Sequence, residues 1–238
     1  MILLRSALFN VLFFGALVLL LALSLPVMLA PRKVAVAVGH FIARTLLAIL
    51  RVVVGLDVEV RGPVHRLDGP AIIASKHQSA WETFALYLIA RDPAYVMKRE
   101  LMWVPLFGWI SWKQGMIPVD RQAGGAALRH LLRAAEKAIA DRRQIIIFPQ
   151  GTRVAPGESA PYQSGIVALY TKLGQPVVPV ALNSGRFWPR RSFRKYPGTI
   201  TVEILEPIPP GLPRTAFLAE LERRIETANA RLDAMAPP

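Results

Sequence analysis

A histidine and a glutamate stand five residues apart in the stretch His77-Gln78-Ser79-Ala80-Trp81-Glu82. A neutral imidazole beside a carboxylate can take a proton from a hydroxyl, because its pKa is near neutral pH and the carboxylate fixes its tautomer and stabilises the imidazolium. The pair therefore indicates His–Glu acid/base chemistry. The same residues allow another interpretation, in which Glu82 only caps a helix and His77 is a polar turn residue.

A strand followed by a helix is predicted to position this pair. The apolar run Ile72-Ile73-Ala74 has strand character, and polar residues 75–79 separate it from a helical pattern. Ser79 and Glu82 fit the Ser-x-x-Glu capping box, which predicts a helix that begins at Ser79 and leaves His77 just outside its first turn. This places the imidazole near the partial positive charge and the unpaired backbone N–H groups of the helix start.

Two other kinds of site find less support in the residues. The sequence has no cysteine and no His-Glu-x-x-His motif, so we predict no metal site, and nothing calls for an organic prosthetic group. The lack of cysteine also excludes disulfides and thiolate nucleophiles. A covalent route through Ser79 is disfavoured, because a serine at a helix N-cap is already bonded to the helix end.

Basic residues outnumber acidic ones in this chain. The 238 residues include 29 Lys and Arg against 16 Asp and Glu, which gives a formal charge of +13. We therefore expect an anionic partner: a lipid surface, a phosphorylated substrate, an acidic protein or nucleic acid. Residues 1–56 contain five cations and no carboxylate on an apolar background, which favours a membrane over nucleic acid.

Residues 1–56 are predicted to anchor the chain in a membrane. No charged side chain occurs in residues 6–31, and the apolar core 8–25 approaches the ~20 residues that cross a bilayer. A signal peptide competes, but the run exceeds the usual h-region of ~7–15 residues and lacks a convincing cleavage site. Residues 34–56 form a second, amphipathic segment, so we expect a hairpin-like, partly interfacial helix pair. The alternative is one span followed by the first helix of the soluble domain.

Residues 57–238 are predicted to form one α/β domain, because short apolar strands alternate with amphipathic helices from residue 57 onward. The predicted strands are 57–61, 71–74, 94–97, 116–119, 145–148, 177–182 and 199–205. The predicted helices are 81–90, 126–140, 166–173 and 215–234. This pattern indicates a mixed β-sheet flanked by helices.

The motif Phe148-Pro149-Gln150-Gly151-Thr152-Arg153 follows the strongest of these strands. Ligands of α/β domains bind where strands end, and Arg153 would bring a planar, permanently charged group suited to phosphate. Taken alone, the motif favours the interpretation of Arg153 as a solvated loop residue.

Several ordered blocks, together with His77, resemble the glycerolipid acyltransferase family, specifically the 1-acylglycerol-3-phosphate acyltransferases. The blocks are His-x4-Asp at 77–82, with Glu82 in place of Asp; Lys-x-Glu-Leu-x-x-x-Pro at 98–105; Gly-x4-Asp-Arg at 115–121; Phe-Pro-Glu-Gly-Thr-Arg at 148–153, with Gln150 in place of Glu; and Val-Pro-Val at 178–180. Blocks in a shared order are far more specific than any single one.

The resemblance implies a mechanism. His77 would be the general base on the free hydroxyl of a lysophospholipid, and Glu82 would orient and stabilise the imidazole. The alkoxide would attack the thioester carbonyl of an acyl donor, which is acyl-coenzyme A or acyl-loaded acyl carrier protein. Backbone N–H groups near the helix start could hold the oxyanion. Glu82 is one methylene longer than the motif's aspartate, so the geometry of the pair must differ slightly. Gln150 cannot act as an acid or base, and we expect only hydrogen bonds from it.

The resemblance also implies the residues that bind substrate. Lys98, Arg121 and Arg153 would bind the acceptor's phosphate, and Gly151 and Thr152 would shape that loop. The product would be phosphatidic acid, made from 1-acylglycerol 3-phosphate (lysophosphatidic acid) in phospholipid biosynthesis. The alternatives are an acyltransferase acting on another lysolipid, such as lyso-ornithine lipid, and a non-catalytic basic scaffold that binds membrane lipids. The active site is expected on the cytoplasmic side of the inner membrane, where acyl thioesters occur.

Two aromatic clusters complete the sequence predictions. Residues 186–196 interleave five cations with four aromatic residues, which favours anchoring to anionic lipid; docking of an acidic acyl carrier protein and nucleic-acid binding are the alternatives. Trp103, Phe107, Trp109 and Trp112 indicate a membrane-facing loop, with a buried core as the alternative.

Overall fold

Short apolar runs form the seven strands of a central sheet in the part of the chain that the structure describes. The computed structural model describes residues 1–63 and 69–235 of the chain. The strands are β1 (Leu56–Arg61), β2 (Ala71–Ser75), β3 (Pro93–Lys98), β4 (Ile117–Val119), β5 (Gln144–Ile147), β6 (Val177–Leu182) and β7 (Gly198–Ile204). Each of them overlaps a strand predicted from the sequence.

The strand order is β1-β7-β6-β2-β5-β3-β4. The neighbours β6, β2, β5, β3 and β4 are parallel, whereas β7 runs antiparallel to β6 and parallel to β1. The prediction of a mixed sheet is therefore confirmed. Because β2 is central, its carboxyl end lies at the middle of one sheet edge, where open α/β sheets bind their ligands.

Helices cover both faces of the sheet. They are α1 (Ile2–Leu23), α2 (Arg32–Val54), α3 (Glu82–Ile89), α4 (Phe107–Gln114), α5 (Gly124–Ala140), α6 (Ser164–Leu173), α7 (Ser184–Phe187) and α8 (Arg214–Met235). Side chains alternate along each strand, so Ile73 and Ile146 join the core under α1–α4 and α7, and Ile72 and Ile145 join the core under α5, α6 and α8.

The first two helices pack on the domain as well as on each other. Phe9 and Phe13 of α1, and Leu46 and Leu50 of α2, are buried in the same hydrophobic cluster as Ile73 of β2. Both helices are long and apolar enough to cross a membrane by length and composition, and α1 exposes many of its other apolar side chains. These features favour association with a membrane. The predicted boundary between a membrane-anchoring segment (residues 1–56) and an α/β domain (residues 57–238) stays a prediction.

The tryptophan-rich segment differs from its prediction. It forms a short 3-10 helix (Arg99–Trp103) followed by α4, so the predicted loop is wrong. Gly108 allows the start of α4 to lie close to the 3-10 helix, because any side chain at residue 108 would collide with the backbone carbonyl of Met102. Trp103, Trp109 and Trp112 are 76%, 51% and 67% exposed, so the alternative of a buried core is wrong for them too.

Candidate active site

His77 and Glu82 meet at the turn between β2 and α3. His77 follows β2 by two residues, and its Nδ1 lies 2.9 Å from Oε1 of Glu82, the first residue of α3. The imidazole stacks on the ring of Phe148, with 3.9 Å between centroids, and its side chain is 15% exposed. Since Nδ1 faces Glu82, Nε2 is the nitrogen left to meet a substrate. The structure thus brings the predicted base and its partner together.

Glu82 is fully buried and accepts several hydrogen bonds besides the one with His77. Its Oε1 accepts the backbone N–H groups of Gln78 (2.6 Å) and Ser79 (2.7 Å), and its Oε2 accepts the hydroxyls of Ser79 (3.0 Å) and Ser184 (2.8 Å). Burial raises the pKa of a carboxyl, but hydrogen bonds from His77, Ser79 and Ser184 outweigh it and lower the pKa of Glu82. An ionised Glu82 accepts a hydrogen bond from Nδ1–H of His77, which leaves the lone pair of Nε2 free to take a proton.

The start of α3 differs from the capping-box prediction. The helix begins at Glu82 rather than Ser79, because one carboxylate oxygen gathers His77 and two backbone amides and folds residues 77–81 into a turn. Ser79 Oγ is buried, donates to Glu82 and accepts the N–H of Trp81 at 2.9 Å. The amides of Gln78, Ser79 and Trp81 are therefore already used as donors within this turn. That other backbone N–H groups near the helix start hold an oxyanion stays a prediction.

His77 lines a cavity of about 810 Å³ whose wall includes both apolar and basic side chains. The apolar lining includes Leu17, Ile42, Phe84 and Ile110 from α1, α2, α3 and α4. Basic and small residues line the same cavity. All five predicted substrate-binding residues line this cavity, namely Lys98, Arg121, Gly151, Thr152 and Arg153.

The loop after β5 brings Gly151, Thr152 and Arg153 beside the histidine turn. Gly151 has φ +69°, and its amide donates to the Phe148 carbonyl at 2.8 Å, so the chain turns sharply here. A side chain at 151 would also approach Arg121, whose Nη1 lies 3.5 Å from the position of a Cβ. The amide of Val154 donates to the His77 carbonyl at 2.8 Å, which ties this loop to the histidine turn.

Comparison with known proteins identifies the family. The family model described as Acyltransferase matches residues 57–183, and the 1-acyl-sn-glycerol-3-phosphate acyltransferase of Pseudomonas aeruginosa is 39% identical over 176 residues, which cover 74% of this chain and 68% of that protein. The chain belongs to the acyltransferase family. The family resemblance inferred from the motif blocks is therefore confirmed, and the matched segment includes both His77 and the loop at 148–153.

Two further comparisons extend this result. The mouse 1-acyl-sn-glycerol-3-phosphate acyltransferase alpha is 29% identical over 171 residues, which cover 70% of this chain and 60% of that protein. The crystal structure of the 1-acyl-sn-glycerophosphate (LPA) acyltransferase PlsC from Thermotoga maritima matches with a TM-score of 0.82 and covers 100% of both chains at 20% identity. This second likeness confirms the α/β fold with two N-terminal helices.

Two arginines of this acyltransferase line the cavity although the sequence did not predict them as substrate-binding residues. Arg190 and Arg191 line the same cavity as Arg153, and Arg190 Nη1 donates to the Arg153 carbonyl at 2.7 Å. The sequence assigned them only to the basic aromatic segment 186–196. Phe187 and Trp188 of this segment are buried, so these two aromatic residues do not form the predicted lipid-anchoring surface.

Ser184 is a partner of the His77–Glu82 pair that the sequence does not predict. It follows β6 closely, and β6 lies beside β2 in the sheet, so its hydroxyl reaches Glu82 from 102 residues away. The polar pair Asn183-Ser184 directly after an apolar strand was a usable signal, since the ends of parallel strands meet at one sheet edge. The sequence alone did not say which strand would be the neighbour.

Proposed function

We propose that this chain transfers an acyl group from an acyl thioester to the sn-2 hydroxyl of 1-acyl-sn-glycerol 3-phosphate, giving phosphatidic acid. The observation that carries the proposal is a His–Glu pair whose histidine lines a cavity with both basic and apolar side chains. Lysophosphatidic acid has the matching groups, which are a phosphate, a free hydroxyl and an acyl chain. The names of the bacterial and mammalian relatives support the same reaction.

The proposed mechanism is general-base catalysis by His77. Nε2 takes the proton of the sn-2 hydroxyl while Glu82 stabilises the imidazolium that forms. The alkoxide adds to the thioester carbonyl, and the tetrahedral intermediate collapses with loss of the thiolate. The thiolate takes the proton from Nε2, which returns His77 to its neutral form and leaves an ester and a thiol.

The phosphate of the acceptor is proposed to bind the cations around the Gly151 loop. Lys98, Arg121 and Arg153 would supply charge-assisted hydrogen bonds, and the guanidinium groups match the geometry of phosphate oxygens. Arg190 and Arg191 would add to this site, because they line the same cavity. The apolar side chains of α1–α4 that line the cavity would hold an acyl chain, since burying it removes hydrocarbon from water.

The donor and the location are proposed from charge and chemistry. An acyl-coenzyme A or an acyl carrier protein would supply the thioester, and both are anionic, which suits a chain with a formal charge of +13. The two apolar helices would hold the protein among the lipids of the inner membrane. The site would then face the cytoplasm, where acyl thioesters occur.

Acyl transfer from a labelled thioester to 1-acylglycerol 3-phosphate by the detergent-purified protein tests this proposal. We expect product from the wild type, and a loss of about 10²–10⁴-fold in kcat for His77→Ala. His130→Ala is the matched control, because His130 is exposed on α5. If only another lysolipid gives product, the proposed acceptor is wrong and the proposed mechanism is kept. If no acceptor gives product with either donor, the interpretation as a lipid-binding scaffold is favoured.

A further inference from the structure

A buried polar cluster connects α8 to the active-site loops. The Lys76 side chain is only 2% exposed, and its ammonium lies 2.6 Å from Oε2 of Glu226 on α8. Gln78 is also buried, and its Nε2 donates to Oδ2 of Asp233 at 3.4 Å. Lys76 and Gln78 are the two neighbours of His77, so each side of the proposed base is tied to a carboxylate of α8.

The spacing of these carboxylates along α8 lets both of them contact the turn that carries His77. Glu226 and Asp233 are seven residues apart, which places them on the same face of a helix, two turns from each other. The Gln78 Oε1 also accepts the backbone N–H of Gly185 at 2.9 Å, so its side chain is held at both ends. The turn that carries His77 therefore rests on a fixed surface of α8.

The same glutamate also reaches the loop after β5. Glu226 Oε1 accepts the Nε2 of Gln150 at 3.4 Å and the hydroxyl of Tyr162 at 2.9 Å. Burial, reinforced by the charge of Glu226, raises the pKa of Tyr162, so its phenol stays protonated and donates. Gln150 is buried and directly precedes Gly151, so the position of Glu226 affects the proposed phosphate-binding loop as well.

The identity of residue 150 follows from this contact. A carboxylate at 150 would stand against the carboxylate of Glu226, and like charges in a buried site repel strongly. An amide can donate to Glu226 instead. Gln150 and Glu226 are therefore a complementary donor–acceptor pair in this chain.

We infer that Glu226 is a positioning residue that fixes the base turn and the phosphate-binding loop relative to each other through Lys76 and Gln150. The inference rests on the proposed function for the roles of the two loops. The buried positions of Lys76 and Gln150 argue for an indirect effect, since neither side chain is exposed to a substrate.

A double-mutant cycle between positions 150 and 226 tests this inference. We expect Glu226→Gln to lower kcat/KM for acyl transfer by about 10- to 100-fold, by analogy with the loss of hydrogen-bond partners that orient metal-ligating side chains. Gln150→Glu should also impair turnover, because it sets two carboxylates together. The double variant exchanges the amide and the carboxylate, and we expect it to recover about 5-fold or more over the product of the single effects.

The matched control is Glu203→Gln. Glu203 pairs with Arg231, also on α8, at 2.5 Å, so this change removes an ion pair of the same helix at residues outside the cluster. We expect it to leave kcat/KM unchanged. If Glu226→Gln does not fold, Lys76→Met combined with Glu226→Leu removes both charges together, which buried ion pairs often tolerate, and it should show the same loss of kcat/KM.

A measurement that needs no substrate separates this inference from the proposed function. Diethyl pyrocarbonate acylates a neutral imidazole, and peptide mass spectrometry gives the rate at His77. We expect Glu226→Gln to change that rate several-fold while Glu203→Gln does not. A wild type without acyltransferase activity would refute the proposed function and leave this readout intact. Unchanged reactivity of His77 in Glu226→Gln, or strictly multiplicative effects in the cycle, would overturn the inference.

Discussion

Replacing Glu82 by glutamine separates the charge of this residue from its hydrogen bonds. The carbonyl oxygen of a glutamine can still accept from His77 Nδ1 and from the amides of Gln78 and Ser79. Its NH₂ group would face the hydroxyls of Ser79 and Ser184, which can rotate to accept instead of donate. The imidazole should therefore keep its orientation and tautomer, and only the negative charge is lost.

The cost of losing this charge follows from Coulomb's law. With about 4 Å between the imidazolium and the carboxylate and an effective dielectric constant of about 20, the attraction is about 4 kcal/mol. That energy stabilises the transition state, where His77 is charged, and corresponds to about 10³-fold in rate. Because the glutamine carbonyl keeps part of the attraction as a dipole, we expect kcat to fall by about 10²–10³-fold.

The assay is acyl transfer at saturating thioester, with kcat and the KM for the acceptor measured separately. The KM should stay near the wild-type value, since Glu82 is buried behind His77. Glu82→Ala is the contrast, because it leaves the amides of Gln78 and Ser79 without their acceptor and should destabilise the fold by about 1–3 kcal/mol for each. Wild-type turnover in Glu82→Gln would refute the assigned role of the charge.

Two further predictions concern the phosphate site and a buried lysine. Arg121→Gln should raise the KM for lysophosphatidic acid by about 10-fold or more, with no change for an acceptor that lacks phosphate; an equal effect on both acceptors would contradict phosphate binding. Burial lowers the pKa of Lys195 from 10.5 to about 8, so the unfolded chain binds more protons between these values. The free energy of unfolding should therefore rise with pH through this window in denaturant titrations, and Lys195→Met should reduce that rise.

Local features were readable from the sequence because their determinants are close together in the chain. His77 and Glu82 lie on one turn, and their contact needs only a strand, a break and a helix in succession. The strands followed from apolar runs of the right length, and the mixed α/β class followed from their alternation with amphipathic helices. The motif blocks added the family, since their order is fixed along the chain.

The contacts that complete the site depend on distant parts of the chain. Ser184 reaches Glu82 across 102 residues, and Glu226 reaches Lys76 across 150. The first contact exists because β6 is the neighbour of β2, and the second because α8 packs on the strands at this edge. Hydrophobic periodicity gives the buried face of each element but not which elements become neighbours.

The limits of the sequence are clearest where one residue type has several possible environments. Trp188 packs edge-on against Phe9 of α1 with 5.2 Å between centroids, whereas Trp103, Trp109 and Trp112 remain exposed. Nothing in the residues themselves separates these cases. The sequence determined the chemistry available to the protein, because side-chain type and local spacing define it. The tertiary structure decided which of those groups act together, because burial and charge pairing arise only when distant elements pack.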